Sequence, residues 1–447
     1  MKQVLAISTV LFYITAGGAI AAPVSQLTLK DATQRALESN SLIKAARYRA
    51  TAARQAVSAA DSALYPHLLF EEDFAASNAP TQAFMMKLDQ GRFTQSDFQI
   101  NNLNSPEQLH NFKTSLSVQQ SLYSPSVSSS RALAKKEADN DELAVEGVKQ
   151  ELAFLVLQIY LDIYRFEAKV KTSEQAVNEA KEHLRLAVVR NAAGVGLLSD
   201  ELRAKTHLSS AEQQAVTALN NLMLARLQLS LAIGLSETAR IELGDPLNWL
   251  VQPQSDGLLQ VALKKRTDLG QAQVSLEKSE LAVKLARSGY LPSLSAFASY
   301  QTNARDIPFG ADNDAWLAGI GLKWNLFDGF RTRHESERAV ANRLAAAEML
   351  DDKIKIIRYQ LEESYLRREE MGKRREIARH ALQDAEETVR LLSRRFENSL
   401  ATMADILDAQ TALDQARVSK IEAESNWILA GGRIYYSAGI LLEEMLR

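Results

Sequence analysis

The sequence predicts a mainly α-helical protein with a small β part, its plan stated twice along one chain. Three observations lead there. Two runs, about 127–190 and 330–396, contain no proline and only one glycine each. Four short segments alternate apolar with small or polar residues. The second half of the chain repeats the first at a nearly constant offset.

The repeat fixes the organisation, because self-similarity at a steady spacing marks a duplicated unit. "ALESNSLI" at 36–43 aligns with "ALKKRTDL" at 262–269, an offset of 226 that also carries Pro66 onto Pro292. Leu122-Tyr123 matches Leu326-Phe327 at 204. Tyr160 matches Tyr365, Asp200-x-Leu202-x-Ala204 matches Asp405-x-Leu407-x-Ala409, and Gly234 matches Gly439, all at 205. The drop from 226 to 204 leaves the first strand–strand loop about 22 residues longer than the second. The expected division is a leader at 1–21, a first repeat at 22–235, a connector at 236–255 and a second repeat at 256–447.

Each repeat opens with an Ala-, Gln- and Lys-rich helical stretch, 28–64 and 256–289, which a proline ends. Strands follow at about 66–76 and 112–123, then at 292–302 and 315–327. Trp316, Ala318, Ile320, Leu322, Trp324 and Leu326 share one face, and Lys323, Asn325 and two glycines the other. Phe112, Leu116, Val118 and Leu122 oppose Lys113, Ser115, Ser117, Gln119 and Ser121 in the same way. Period two with one apolar face fits a half-buried strand, and equally one with lipid outside and water inside. Trp316 and Trp324 are ~27 Å apart along a strand, close to the height of an apolar band bounded by aromatic girdles. "PHLLFEEDF" breaks the pattern with Glu72 beside Leu68, Phe70 and Phe74, which places Glu72 above the apolar band. Four strands cannot close a barrel, since membrane barrels begin at about eight. A barrel therefore demands an oligomer.

Long helices are expected at about 127–192, 199–235, 330–398 and 403–440. The first is a rod of roughly 95 Å at 1.5 Å per residue. Val145, Val148, Leu152, Leu155, Ile159, Ile163 and Phe166 recur at three and four, a coiled-coil seam. The charged run at 367–380 reads as a solvated face.

Bulk properties remove several function classes. The 447 residues carry a net charge of −3, which argues against nucleic acid as a partner. There is no cysteine, so disulfides, thiolate metal sites and a lipid-modified N-terminal cysteine are excluded. The six histidines have no metal-ligand spacing, and no cofactor or catalytic centre is expected. "GVGLLSD" at 194–200 lacks the third glycine of a phosphate loop and follows a helix, not a strand. It reads as a turn between helices, with Gly194 or Gly196 in the left-handed region and Ser199 capping the next helix. The N-terminal "MKQVLAISTVLFYITAGGAIAAP" has a lysine, an apolar stretch and an A-x-A site, the form of a secretory signal peptide. No later stretch reaches the ~18 consecutive apolar residues of a spanning helix, so a membrane is met as a β-barrel.

The duplicated strand–loop–strand and helix–tip–helix plan, the tips "RNAAGVGLLSDEL" and "RRFENSLATMADILDAQ", and the helix ends "IGL" and "AGI" resemble the TolC-type outer-membrane efflux protein family over nearly the whole chain. The resemblance implies a homotrimer in the outer membrane. Three chains of four strands would close a twelve-stranded transmembrane β-barrel, and the coiled-coil helices would form an α-barrel through the periplasm. It implies a periplasmic adaptor at the helix tips, an inner-membrane pump or ABC transporter beyond it, and a passive duct gated at those tips. Asp405 and Asp408, one turn apart, take the place of the family's pore-constricting acids. Asp200 and Phe396 fall in its tip gating network. Phe396 stands where a tyrosine is usual and Ala401 where an arginine is usual, so the family's tip ion pair to Asp200 cannot form in the usual way. Gly194, Val195, Gly196, Leu197, Leu198 and Ser199 on one tip, and Ser399, Leu400, Ala401 and Thr402 on the other, are the implied adaptor contacts. Trp316 and Trp324 would mark the lipid-facing girdle. The long loop 77–111 either folds over the barrel mouth or has no fixed structure. A soluble periplasmic coiled-coil scaffold is the competing reading. It gives no reason for tryptophans on an exposed apolar face.

Overall fold

The computed structural model describes residues 25–235, 241–244, 257–398 and 400–447. The expected leader and most of the expected connector lie outside the described residues, and so does Ser399.

The chain is mostly helical, with one sheet of four antiparallel strands. A short strand β1 (Ser25–Leu27) precedes helices α1 (Leu29–Ser39) and α2 (Ser41–Ser62). Strand β2 (His67–Ser77) leads to helices α3 (Pro80–Asp89) and α4 (Ile100–Asn104), then strand β3 (Leu109–Tyr123). Helices α5 (Pro125–Ala192) and α6 (Leu198–Ile233) form the first long hairpin. Strand β4 (Ile241–Leu243) and helices α7 (Leu258–Lys265) and α8 (Thr267–Arg287) open the second half. Strands β5 (Ser293–Ala304) and β6 (Asn313–Lys323), the hairpin α9 (Arg331–Glu397) and α10 (Met403–Ser437), and a short α11 (Leu441–Leu446) complete it.

The sheet runs β2-β3-β5-β6, so the two halves of the chain meet at β3 and β5. Its register puts Leu68, Phe70, Val118, Leu116, Ala298, Tyr300, Trp316, Ile320 and Leu322 on one face. Trp316 is 77% exposed and Ile320 70%, so this apolar face is uncovered. The row Glu72, Thr114, Thr302, Asp314 ends it on one side. There the Thr114 hydroxyl donates to Glu72 Oε2 at 2.5 Å, and the Phe309 amide donates to Oε1 at 3.3 Å. At the opposite end lie Tyr65, Tyr123, Tyr290, Trp324 and Phe327, all exposed. Strand β6 ends at Lys323, short of the expected 327, because Trp324 Nε1 turns to donate to the Tyr290 carbonyl at 3.0 Å.

Helix α5 has 68 residues and α9 has 67, about 100 Å each. Ser124 caps α5, its hydroxyl accepting from Val127 N, and Pro125 needs no partner in the first turn. In the second half Asp328 does the same work, accepting from the Thr332 amide at 3.0 Å and hydroxyl at 2.5 Å. The seam on α5 is wider than the spacing suggested. Val145, Leu152, Ile159 and Ile163 are buried, but Leu155 is exposed, while Ala153, Val156, Leu157, Tyr160 and Leu161 are buried as well. This part of α5 is wrapped by α1, α6, α10 and α11.

The main core lies at this mid-height, where Leu29 and Ile43 meet Leu157, Tyr160, Leu229, Ile233 and Leu441. A smaller core in the second half joins Leu258, Leu269, Ile357, Leu361 and Ile434, with Tyr365 against it. The connector is more than a linker, since Ile241–Leu243 pairs in parallel with Ser25–Leu27. The Tyr160 hydroxyl donates to the Leu27 carbonyl at 3.0 Å and holds that pair on the core. The charged run on α9 is not all solvated. Arg368 and Arg375 stack on Trp427 of α10, at 3.8 and 4.1 Å. Burial, and then Arg375, lower the Arg368 guanidinium to about 10.

The duplication also repeats a lock. Gly234 ends α6 at φ +68 and Gly439 follows α10 at φ +73, both left-handed. Each end meets a break between two helices of its own half. Ser39 Oγ donates to Ile233 O at 2.6 Å and Asn40 Nδ2 to Ala232 O at 3.1 Å. Arg266 Nη1 donates to Ser437 O at 3.3 Å. A Cβ at Gly234 would lie 2.6 Å from Ser39 Oγ. Gly234→Ala should therefore destabilise the protein by at least about 1 kcal/mol from backbone strain alone, read as a lower thermal midpoint in detergent.

Candidate functional site: the paired helix tips

The two tips start from the same sequence plan but close differently. After α5, the Gly194 and Val195 amides donate to the Asn191 and Arg190 carbonyls, each at 3.0 Å. That wrap needs a left-handed residue, and Gly194 supplies it at φ +73. Gly196 serves another purpose, because a Cβ there would lie 2.9 Å from the Arg190 backbone. Helix α6 then begins with Leu197 as its N-cap and no side-chain cap bond. The Ser199 hydroxyl is not the cap, because the helix starts two residues too early for it. Val195, Leu197 and Leu198 are left exposed at the turn.

The second tip has a capping box. Thr402 Oγ1 accepts from Asp405 N at 3.2 Å, and Asp405 Oδ2 accepts from Thr402 N at 2.8 Å and from its hydroxyl at 2.7 Å. Asp200 occupies the matching place on α6 but has Leu197 where Asp405 has Thr402. The Thr402 amide and hydroxyl hold the Asp405 carboxyl below the ordinary carboxylate range, with a weaker pull from Arg395. Asp405 and Asp408 are both exposed, while Met403, Ile406, Leu407 and Ala409 between and beside them are buried. The two acids thus share the free face of α10. Leu400 is exposed and Ala401 half-buried against the tip core.

Phe396 is buried in that core, with Ala187, Ala204, Met403, Ile406 and Leu407 from all four long helices. Its partner is an arginine of the other tip. The Arg190 guanidinium lies 4.5 Å from the Phe396 ring centre and donates to the Phe396 carbonyl at 3.3 Å. Asp200, half-buried in the first turn of α6, takes no part in that stack. Asn191 Nδ2 reaches Glu201 Oε2 instead, at 2.8 Å. The sequence singled out Phe396 and missed Arg190. The signal was there, since Arg190 and Arg395 match at the same offset as the tips.

Above the tips a second tie crosses from α5 to α10, also missed. Arg417 Nη1 and Nη2 donate to Glu179 at 2.9 and 3.1 Å, and Gln410 Nε2 reaches the same carboxylate at 2.5 Å. Asp414 joins through Arg417 at 3.3 Å, and burial raises its carboxyl. His183 lies beside them, its pKa lowered first by burial and then by His207. No cluster of three metal-ligating side chains occurs among the described residues.

This arrangement matches known proteins along its length. The sequence model of the family described as outer membrane efflux protein matches residues 32–235 and 258–439. The chain belongs to that family. It is 22% identical over 428 residues to the alkaline protease secretion protein AprF of Pseudomonas aeruginosa, covering 93% of this chain and 85% of AprF. It is 22% identical over 285 residues to the pyoverdine export outer membrane protein OpmQ of the same species, where the aligned part spans 64% of this chain and 60% of OpmQ. The fold is shared with the crystal structure of the outer membrane protein VceC from Vibrio cholerae, at a TM-score of 0.76, 17% identity and coverage of 92% and 96%. The protein is an outer membrane efflux channel, a transport protein and not an enzyme. The four-stranded sheet and the two long hairpins are the parts such a channel requires.

Two outcomes test the tip geometry. Phe396→Ala empties a buried aromatic site and should cost about 3 kcal/mol locally, seen as faster protease cleavage at the tips with the mid-height core intact. Thr402→Ala removes the hydroxyl that donates to Asp405 and accepts from its amide, and keeps the backbone amide donor. A depressed carboxylate stabilises the fold above its unfolded pKa of about 3.9 and loses that contribution as pH falls through the folded value. The variant should raise the Asp405 titration only part of the way, since the amide bond remains, and speed exchange of the first-turn amides of α10 roughly fivefold, both read by NMR.

Proposed function

We propose that the protein is the outer-membrane exit duct of a tripartite efflux or type I secretion system, acting as a passive homotrimer gated at its periplasmic helix tips. The observation that carries this is the sheet. It has one exposed apolar face and two outer strands, β2 and β6, with no partner on their far sides among the described residues. In a bilayer such edges must be paired, and three copies joined β6 to β2 give a closed ring of twelve strands. Trp316 and Tyr300 then line one border of the lipid-facing band and Trp324 the other. The polar face, with Lys113, Ser115, Ser117, Gln301 and Ser299, becomes the lumen.

The helices support the same assembly. Helix α6 is long and apolar enough by composition to cross a membrane, yet only 33% of its apolar window is buried in one chain. Val216, Leu219, Met223 and Leu227 are exposed on it. Neighbouring protomers cover such a face in an α-barrel. The competing scaffold reading gains no support from a sheet with Trp316 and Ile320 uncovered.

At the tips, exposed Val195, Leu197, Leu198 and Leu400 are an apolar contact surface for a periplasmic adaptor, and Gly194, Gly196, Ala401 and Thr402 set its shape. The adaptor links the duct to an inner-membrane pump or ABC transporter. Ser199 belongs to the same surface. Closure rests on the Arg190–Phe396 stack between the hairpins, with Asp200 placed to meet a neighbouring chain. The exposed faces of Asp405 and Asp408 point to the axis, where three chains bring six carboxylates together. Such rings favour cations, and their mutual repulsion raises some of the pKa values. Cargo is chosen by the pump, so one duct serves small molecules or proteins.

Replacing Asp405 and Asp408 together with Ala should raise single-channel conductance in planar bilayers and abolish block by multivalent cations. Unchanged conductance and block would remove these acids from the gate.

A further inference from the structure

The excursion between β2 and β3 is the place where the two halves differ most, about 22 residues longer in the first. It is folded. Helix α3, a 3₁₀ turn at Gln95–Phe98 and α4 gather around Phe84, Phe93 and Phe98, whose rings meet edge-on at 4.6 and 5.0 Å. Lys87 pairs with Asp97 at 2.6 Å, and Asp97 Oδ2 closes the Thr94 turn at 2.8 Å. Ala83 is buried.

Its attachment is directional. Gln90 Nε2 donates to Asn111 Oδ1 at 2.9 Å and to the His110 carbonyl at 2.7 Å. Asn111 Nδ2 donates on to Asn303 Oδ1 at 2.9 Å. Asn313 Nδ2 donates to the Asp89 carbonyl at 3.0 Å. Gln90, Asn111 and Asn303 are 2%, 7% and 2% exposed, so the ladder is sealed from water. Gly91 turns left-handed at φ +64, and a Cβ there would press on Asn313 at 3.3 Å. The register gives the side. Asn111 alternates with Lys113 and Ser115, and Asn303 pairs with Asn313 and alternates with Gln301 and Ser299. All three asparagines stand on the polar face of the sheet, opposite Trp316 and Ile320. A loop that merely lay on the cell surface would have no reason to grip that face across three strands. Buried amide networks are costly unless fully paired, and this one fixes both position and orientation.

We propose that residues 78–108 are a cap docked on the inner wall of the barrel at its outer end, which sets the largest cargo able to leave. This rests on the trimeric barrel proposed above, with the polar face inward. Three such caps, one per chain, would narrow the mouth together. The matching loop of the second half, Arg305–Asp312, turns to the other side, where Phe309 stacks on Phe70 at 6.2 Å. Only the first loop is built for the lumen.

The native chain has no cysteine, so an introduced thiol reports its own surroundings. Gln301→Cys places one on the polar face, two residues from Asn303. Intact cells are treated with a small membrane-impermeant maleimide and with a ~5 kDa polymer maleimide. The cap predicts labelling by the small reagent and little by the polymer. Replacing 80–104 by a short Gly-Ser link, or undocking the cap with Gln90→Ala and Asn111→Ala, should raise the polymer rate at least tenfold and leave the small-reagent rate within about twofold. The double variant keeps the comparison available where the deletion fails to assemble as a heat-labile trimer. Equal labelling by both reagents with the cap intact overturns the cap and leaves the duct standing. No labelling at Gln301→Cys in any background, together with ready labelling of Ile320→Cys, reverses the faces of the sheet and overturns duct and cap alike.

Discussion

An unpaired backbone amide in hydrocarbon costs several kcal/mol, and that constraint governs the architecture. One chain offers four strands, pairs three of the junctions and leaves β2 and β6 open. Nothing among the described residues closes them. The sheet joins the two halves of the chain at β3 and β5, so neither half has a sheet of its own. The helices pose a similar problem, since beside rods of 68 and 67 residues α6 is left largely uncovered in one chain. The mid-height core around Tyr160 and the two glycine-ended locks tie the rods together between the sheet end and the tip end.

Much of this was readable from residues because it rests on simple periods. Alternation of two gave the faces of β3 and β6, and absence of proline gave α5 and α9. The offset exposed the duplication before any element was assigned. What escaped had a common cause. Strands β1 and β4 are three residues each and exist only because they meet, with the Tyr160 hydroxyl beside them. Helices α3 and α4 are too short to show a period and are set by the Phe84–Phe93–Phe98 contacts and the asparagine ladder. Leu155 fitted the seam by spacing and is exposed, because four neighbours wrap α5 at mid-height and a single stripe no longer describes it.

At the tips, the acids were legible and their partners were not. "D-x-L-x-A" occurs twice, but whether an acid is tied down depends on the residue three before it. Thr402 captures Asp405, and Leu197 leaves Asp200 without that bond. The ring of Phe396 marks a buried site, but only the fold reveals that Arg190 covers it. Family resemblance supplied the neighbourhood, and the contact of Arg190 from the opposite hairpin with Phe396 came from the fold.

That difference in capping has a mechanical meaning. Two hairpins of nearly equal length hang from the same frame. One begins its return helix with a reciprocal hydrogen-bonded clasp, and the other begins it bare. In the trimer proposed above, capped and uncapped fingers would alternate around the ring. A pull applied evenly to all six would be answered unevenly, and the aperture would change from a hexagon toward a triangle before it widened.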